Sequence, residues 1–301
     1  MLARLLRRIL LIQVISGAAL GWILATLGWM PLWLALVFPL LFPVLGLVFA
    51  TVWTCAHSRG KEPAGLWWRS FMGESWAGIQ IFLLRQPWSR ESPRLLPATS
   101  TTPRIPVVLV HGFLCNHRIW DDLARTLRER GHTVFAVNLE PLFGSIDNYP
   151  AIVEEAVANL RNHTGQNQVA LVGHSMGGLA IRAWMRTYGP QHAARVLTLG
   201  TPHWGTQAFM PLPTTNSQQM QWQSRWLKSL AESETPAVRQ LKRIALTPQD
   251  NIVFPQREQT LEGVTPVIFE GIGHLQMCTA PQVIAWVAEE LAQCAPASSA
   301  Q

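Results

Sequence analysis

Val172-Gly173-His174-Ser175-Met176-Gly177-Gly178, VGHSMGG, is the stretch on which the fold turns. A short apolar run, VALVG, leads into it, and LAIRAWMR, a helix-forming stretch, follows. A chain that passes from strand to helix within one residue crowds its own backbone. The flanking positions must then lack side chains, and Gly173 and Gly177 meet that need. Between them Ser175 is pushed out of the sheet and set at a helix N-terminus. Short Gly/Ser patterns also arise by chance, so the serine needs partners before it means chemistry.

The region around it alternates in pattern. PVVLV, HTVFAVNL, QVALVG, ARVLTLG, RIALT and PVIFEGI read as strands. RIWDDLARTLRER, YPAIVEEAVANLRN and PQVIAWVAEELAQ read as helices. Such alternation predicts an α/β fold, a mostly parallel sheet with helices on both faces.

A serine becomes a nucleophile when a histidine takes its proton, and the histidine needs a carboxylate to orient it. In one chain order known for this chemistry the acid and then the base follow the serine. Of the aspartates only Asp250 follows Ser175, in LTPQDNIV just past a strand. Of the histidines only His274 follows Asp250, in FEGIGHLQM, again past a strand. The order therefore selects Ser175, Asp250 and His274. Glu232, Glu234, Glu258, Glu262 and Glu270 are the other acids in that interval; Glu270 is close to His274 but on the strand itself. The developing oxyanion needs two N–H donors. One is that of Met176, directly after the serine. LVHGFL supplies the second, at Phe113 behind the turning Gly112. His111, His174 and His203 read as structural histidines that bond loop backbone.

VLVHGF, VGHSMGG, LGTPHWGT, a late aspartate and GIGH together resemble the bacterial lipase and esterase branch of the α/β-hydrolase superfamily. The resemblance covers about residues 105–294. It implies a carboxylic ester hydrolase without cofactor or metal. It also implies a helical cap after GTPHWGT; here residues 206–234 form a long insertion rich in Gln, Trp and Met. Trp222 and Trp226, four apart, would share a helical face. That face is either a lipid-entry lid or ordinary packing.

Residues 1–60 lie outside the resemblance. No Asp, Glu, Lys or Arg occurs between positions 9 and 58, and a bilayer span takes roughly 20 apolar residues. Two transmembrane helices fit, at about 9–27 and 32–54, broken at LGWMPLW by a turn with interfacial tryptophans. Arg4, Arg7 and Arg8 precede them, and Arg59 and Lys61 follow. That bias places both ends, and the catalytic domain, on the cytoplasmic side of a bacterial inner membrane. A signal peptide fits less well, since the apolar stretch runs on without a cleavage pattern. Segment 61–105 divides into an apolar part broken by charges, lying in the membrane interface or packed on the domain, and a Ser/Thr/Pro-rich linker. Residues 295–301 form a tail.

The 301-residue chain is 49% hydrophobic and only 14% charged, with a net charge of +6 carried mainly by arginine. No nucleic-acid motif accompanies that charge, which suits an anionic membrane surface better. Cys55, Cys115, Cys278 and Cys294 have neither disulfide nor metal-ligand spacing and read as free thiols. The partners expected are a membrane and a lipid or acyl ester. Two other readings use the same sequence: an acyltransferase or thioesterase with the same triad, and a non-catalytic membrane protein on a hydrolase-like fold.

Overall fold

The structure is a computed structural model that describes residues 1–89, 95–208 and 213–294. The expected tail at 295–301 and part of the expected linker lie outside the described residues, as do residues 209–212 of the insertion.

Two long helices open the chain, α1 (Leu2–Thr26) and α2 (Leu32–Ser58), joined by a turn at Gly28. They pack against each other as a hairpin. Gly17 and Gly21 set the distance: a methyl at Gly17 would lie 2.7 Å from Phe42 Cβ. Both helices are long and apolar enough to cross a membrane, and most of their apolar side chains are exposed. The helices run a turn or more beyond the expected spans, taking in Arg4, Arg7 and Arg8 at the start and His57 and Ser58 at the end.

α3 (Ala64–Gly78) continues as a π-helical stretch, Ile79–Arg85. Its inner face buries Trp67, Ser70, Glu74 and Ala77 against the domain, so packing is one part of its role. The other face exposes Trp68, Met72 and Trp76 at a spacing of four, an apolar stripe along the helix. A two-residue strand, β1 (Leu95–Leu96), then sits where a plain linker was expected.

The sheet proper comprises β2 (Val107–Val110), β3 (Val134–Ala136), β4 (Val169–His174), β5 (Ala193–Leu199), β6 (Lys242–Leu246) and β7 (Val267–Ile268). Its order is β1-β3-β2-β4-β5-β6-β7, parallel throughout except for β1. The helices are α4 (Asp121–Glu129), α5 (Pro150–Thr164), α6 (Met176–Tyr188), α7 (Thr215–Gln219), α8 (Arg225–Glu232), α9 (Pro236–Gln240) and α10 (Pro281–Ala292). β2 and β4 are buried along their whole length, which is why their sequences are unbroken apolar runs. Alternate residues serve opposite faces. Val107, Leu109, Ala170 and Val172 face a core with α3, α4 and α10, while Val108, Val110, Val169 and Leu171 face one with α5 and α6.

The insertion is fastened at several points. Asn216 Nδ2 donates to the Leu142 carbonyl at 2.8 Å, Gln219 Oε1 accepts from Ile146 N at 2.8 Å, and Leu227 and Leu230 are buried. Trp222 and Trp226 do not share a helical face. Ser224 caps α8 by accepting from Leu227 N, so the helix begins after Trp222. Trp226 donates its indole N–H to Asp147 at 2.9 Å.

Candidate active site

β4 ends at His174, and α6 begins at Met176. Ser175 between them has φ 54° and ψ −129°, a backbone conformation that non-glycine residues rarely hold. Its N–H is tied to the Leu199 carbonyl at 2.9 Å. The two glycines are there for close approach. A methyl at Gly173 would lie 2.6 Å from Gly178 N, and one at Gly177 would collide with the Val110 carbonyl.

The turn after β2 comes up against the serine. A methyl at Gly112 would lie 2.8 Å from Ser175 Cβ and 3.3 Å from Oγ. Phe113 follows directly in that turn, and Met176 is the first residue of α6, whose opening N–H groups have no acceptor within the helix. His111 shapes the turn. Its Nδ1 donates to the Gly112 carbonyl at 2.8 Å, and its Nε2 accepts from Leu139 N at 3.0 Å. That pattern requires a neutral ring, and burial holds the ring there by lowering its pKa to about 4.

Asp250 and His274, far apart along the chain, lie side by side in the fold. His274 Nδ1 stands 2.8 Å from Asp250 Oδ2, with both side chains buried. The other carboxylate oxygen accepts from Ile252 N at 2.9 Å and Val253 N at 2.7 Å, which fixes the side chain. Burial pulls the His274 pKa down. The Asp250 charge and hydrogen bond, with Glu74 adding to them, outweigh that and hold it above the ordinary value of 6.5. The His274 loop is bound to the strand that precedes the serine: His174 Nε2 donates to the His274 carbonyl at 3.0 Å, and the two rings lie 4.6 Å apart. Among the described residues no hydrogen bond joins Ser175 Oγ to the His274 ring, whose Nδ1 faces Asp250.

The remaining candidates are placed elsewhere. Glu234 is taken up by Arg182, at 2.8 and 3.2 Å, and by Lys242 at 3.1 Å. Glu262 pairs with Arg239 at the surface. His203 bonds Thr198 and Arg182 and is fully buried. Among the described residues, no group of three or more His, Cys, Asp or Glu could hold a metal ion, and all four cysteines are free.

Three site neighbours escaped the sequence reading. Gly200, at φ 54°, passes so close that a methyl would lie 3.2 Å from both Asp250 Oδ2 and His274 Nδ1. Only its place in LGTPHWGT could have flagged it. Asn251 Oδ1 accepts from His274 N at 3.2 Å, while its Nδ2 donates to Thr54 of α2 at 2.8 Å. Glu74 on α3 accepts from Leu275 N and Gln276 N, both at 3.0 Å. Burial pushes the Glu74 carboxyl up to about 7 against the opposing pull of His274 and these two bonds. A cavity of about 620 Å³ adjoins the turn after β2, between His111, Leu139 and Glu140 and the start of α1 at Leu2, Arg4 and Arg7.

Residues 105–243 match the family model for the alpha/beta hydrolase fold, which stops short of Asp250 and His274. A triacylglycerol lipase of Burkholderia plantarii is 34% identical over 126 residues, 38% of this chain and 35% of that one. A triacylglycerol lipase of Pseudarthrobacter phenanthrenivorans is 34% identical over 118 residues, 36% of each chain. The matches thus span about a third of those lipases. Among solved structures, the mature lipase of Bacillus licheniformis superposes with a TM-score of 0.57 at 17% identity, over 66% of this chain and 98% of that one. Lipase B of Aspergillus fumigatus gives a TM-score of 0.55 at 14% identity, over 68% of this chain and 57% of that one. At such identities the structural likeness speaks for the fold alone, and it agrees with the seven-stranded sheet and the strained serine turn. The chain has the α/β-hydrolase fold, and the relatives it matches in sequence are triacylglycerol lipases.

Proposed function

We propose that this chain is a membrane-anchored serine hydrolase that cleaves carboxylic esters, lipid or long acyl esters foremost. The observation that carries the chemistry is the buried Asp250–His274 pair at 2.8 Å, whose loop is bonded to the residue preceding a strained, glycine-flanked serine. Ser175 Oγ attacks the ester carbonyl carbon as His274 Nε2 takes its proton. Asp250 holds the Nδ1 proton and stabilises the imidazolium. The oxyanion is met by the N–H groups of Phe113 and Met176. Collapse expels the alcohol, protonated by His274, and leaves an acyl ester on Ser175. Water, deprotonated by the same histidine, then releases the carboxylic acid and restores the serine.

The membrane reading rests on how the hairpin meets the domain. The start of α1 and the end of α2 both reach the loops that follow sheet strands. The Met1 amine pairs with Glu140 at 2.6 Å, Thr54 bonds Asn251, and the Ser58 carbonyl accepts from Gln256 at 2.9 Å. Those loops carry the candidate site, so a bilayer holding the hairpin would lie beside its mouth. The exposed Trp68, Met72 and Trp76 suit the headgroup layer of the same bilayer. With the basic flanks, this favours the inner membrane of a bacterium with the domain on its cytoplasmic side. The test uses full-length protein in proteoliposomes with acyl-labelled esters. Free labelled acid released by the wild type and not by Ser175→Ala supports the proposal. Transfer of the label to an acceptor without free acid would mark an acyltransferase instead.

A further inference from the structure

We propose that Glu74 is a positioning residue for His274, through which the N-terminal helices complete the site; this rests on the hydrolase reading above. The carboxylate is buried, and each of its oxygens accepts one N–H from the two residues that follow the base, Leu275 and Gln276, at 3.0 Å. Gly273, on the other side of His274, is packed so closely that a methyl there would lie 2.5 Å from Glu74 Oε2. The base is thus bracketed by contacts to one side chain on α3. A bidentate acceptor at the start of a short helical turn fixes the backbone from which the imidazole projects. α2 adds a second hold on the same loop, through Thr54 and Asn251 to His274 N. Both holds come from residues 1–78, outside the region that matches the family model.

Glu74 also acts on His274 by charge, since its carboxylate favours the imidazolium. The titratable groups around the pair are Asp250 beside the ring, His174 before the serine, Cys115 on the loop after β2, Cys278 on the turn after His274, and Cys55 on α2. His174 is kept neutral, by burial first and then by His274. Burial likewise keeps Cys115 and Cys278 protonated. Asp250 and Glu74 therefore remain as the carboxyl groups facing the base, and Glu74, pushed up to about 7 by burial, adds its charge as the pH rises through that value.

The experiment compares full-length wild type, Glu74→Gln and Glu74→Ala in detergent, with a short soluble ester and with NMR titration of His274. Glu74→Ala should lower kcat by about 100-fold with little change in KM, the scale of a misplaced catalytic group. Glu74→Gln keeps one accepting oxygen and should recover to within roughly tenfold of wild type. In Glu74→Gln the His274 pKa should fall, and the acid limb of kcat/KM should move to lower pH by the same amount. A folded Glu74→Gln with unchanged His274 titration and wild-type kcat overturns the proposal. So does a loss confined to thermal stability with the acid limb unmoved. Absence of Ser175-dependent hydrolysis in the wild type overturns the hydrolase reading itself, and the His274 titration then separates the two failures.

Discussion

Replacing Asp250 with Asn changes one atom and should change the chemistry far more than the fold. Asp250 Oδ1 accepts two backbone N–H groups, from Ile252 and Val253, while Oδ2 faces His274 Nδ1 at 2.8 Å. In the variant those two N–H groups still require an acceptor, so the amide oxygen stays with them and the amide NH2 turns to the histidine. An NH2 facing Nδ1 selects the tautomer with its proton on Nε2, which cannot take a proton from Ser175. Turnover should fall about 10⁴-fold, roughly 5 kcal/mol of barrier. KM should change little, because the loss falls on the transition state. The His274 pKa, now held up by Asp250, should drop toward or below 6.5. The residual activity should therefore persist to lower pH than in the wild type. Steady-state kinetics on a short-chain ester, with circular dichroism as the folding control, measures this. Folded Asp250→Asn within tenfold of wild-type kcat would refute the assignment of the acid; a collapse in Glu270→Gln would point to its replacement.

Three further outcomes follow from the packing. Gly112→Ala places a methyl 2.8 Å from Ser175 Cβ and 3.2 Å from the His174 carbonyl; it should fold and lose about 100-fold in kcat, and wild-type kinetics would mean the turn has room to yield. Glu234→Gln leaves Arg182 and Lys242 buried without a full counter-charge and should lower stability by about 3–5 kcal/mol, read as a denaturant midpoint. Burial raises the Glu234 pKa, but Arg182 and Lys242 more than offset this and hold it below 4.5; the stabilisation should be present above that value and fade as pH falls through the lower one. A reporter active only outside the membrane, fused after Lys61, should be silent; strong activity would place the domain on the far side.

The serine turn was legible because a chain that must bend between strand and helix has few residues to use, and Gly173, Ser175 and Gly177 declare it. The pairing of Asp250 with His274 was legible by elimination, since few aspartates and histidines follow the serine. Glu74 was not. Its partners are backbone N–H groups some 200 positions away, which leave no side-chain signature at either end. α3 stayed open between two readings because one face packs on the domain and the other is apolar and exposed, so its composition fits both. β1, with two residues, carries too little pattern to separate it from a linker. Trp222 was read as helical from spacing alone, and the cap at Ser224 ends that spacing's meaning.

The central claim is that Ser175 is an activated nucleophile. A fluorophosphonate probe tests it directly, since it forms a lasting bond only to a serine whose proton is taken up by a base and whose oxyanion is stabilised. Full-length wild type should be labelled, with the adduct mapping to Ser175 by mass spectrometry, and folded Ser175→Ala should not. Labelling that persists in Ser175→Ala, or a folded wild type that takes no label, would contradict the account.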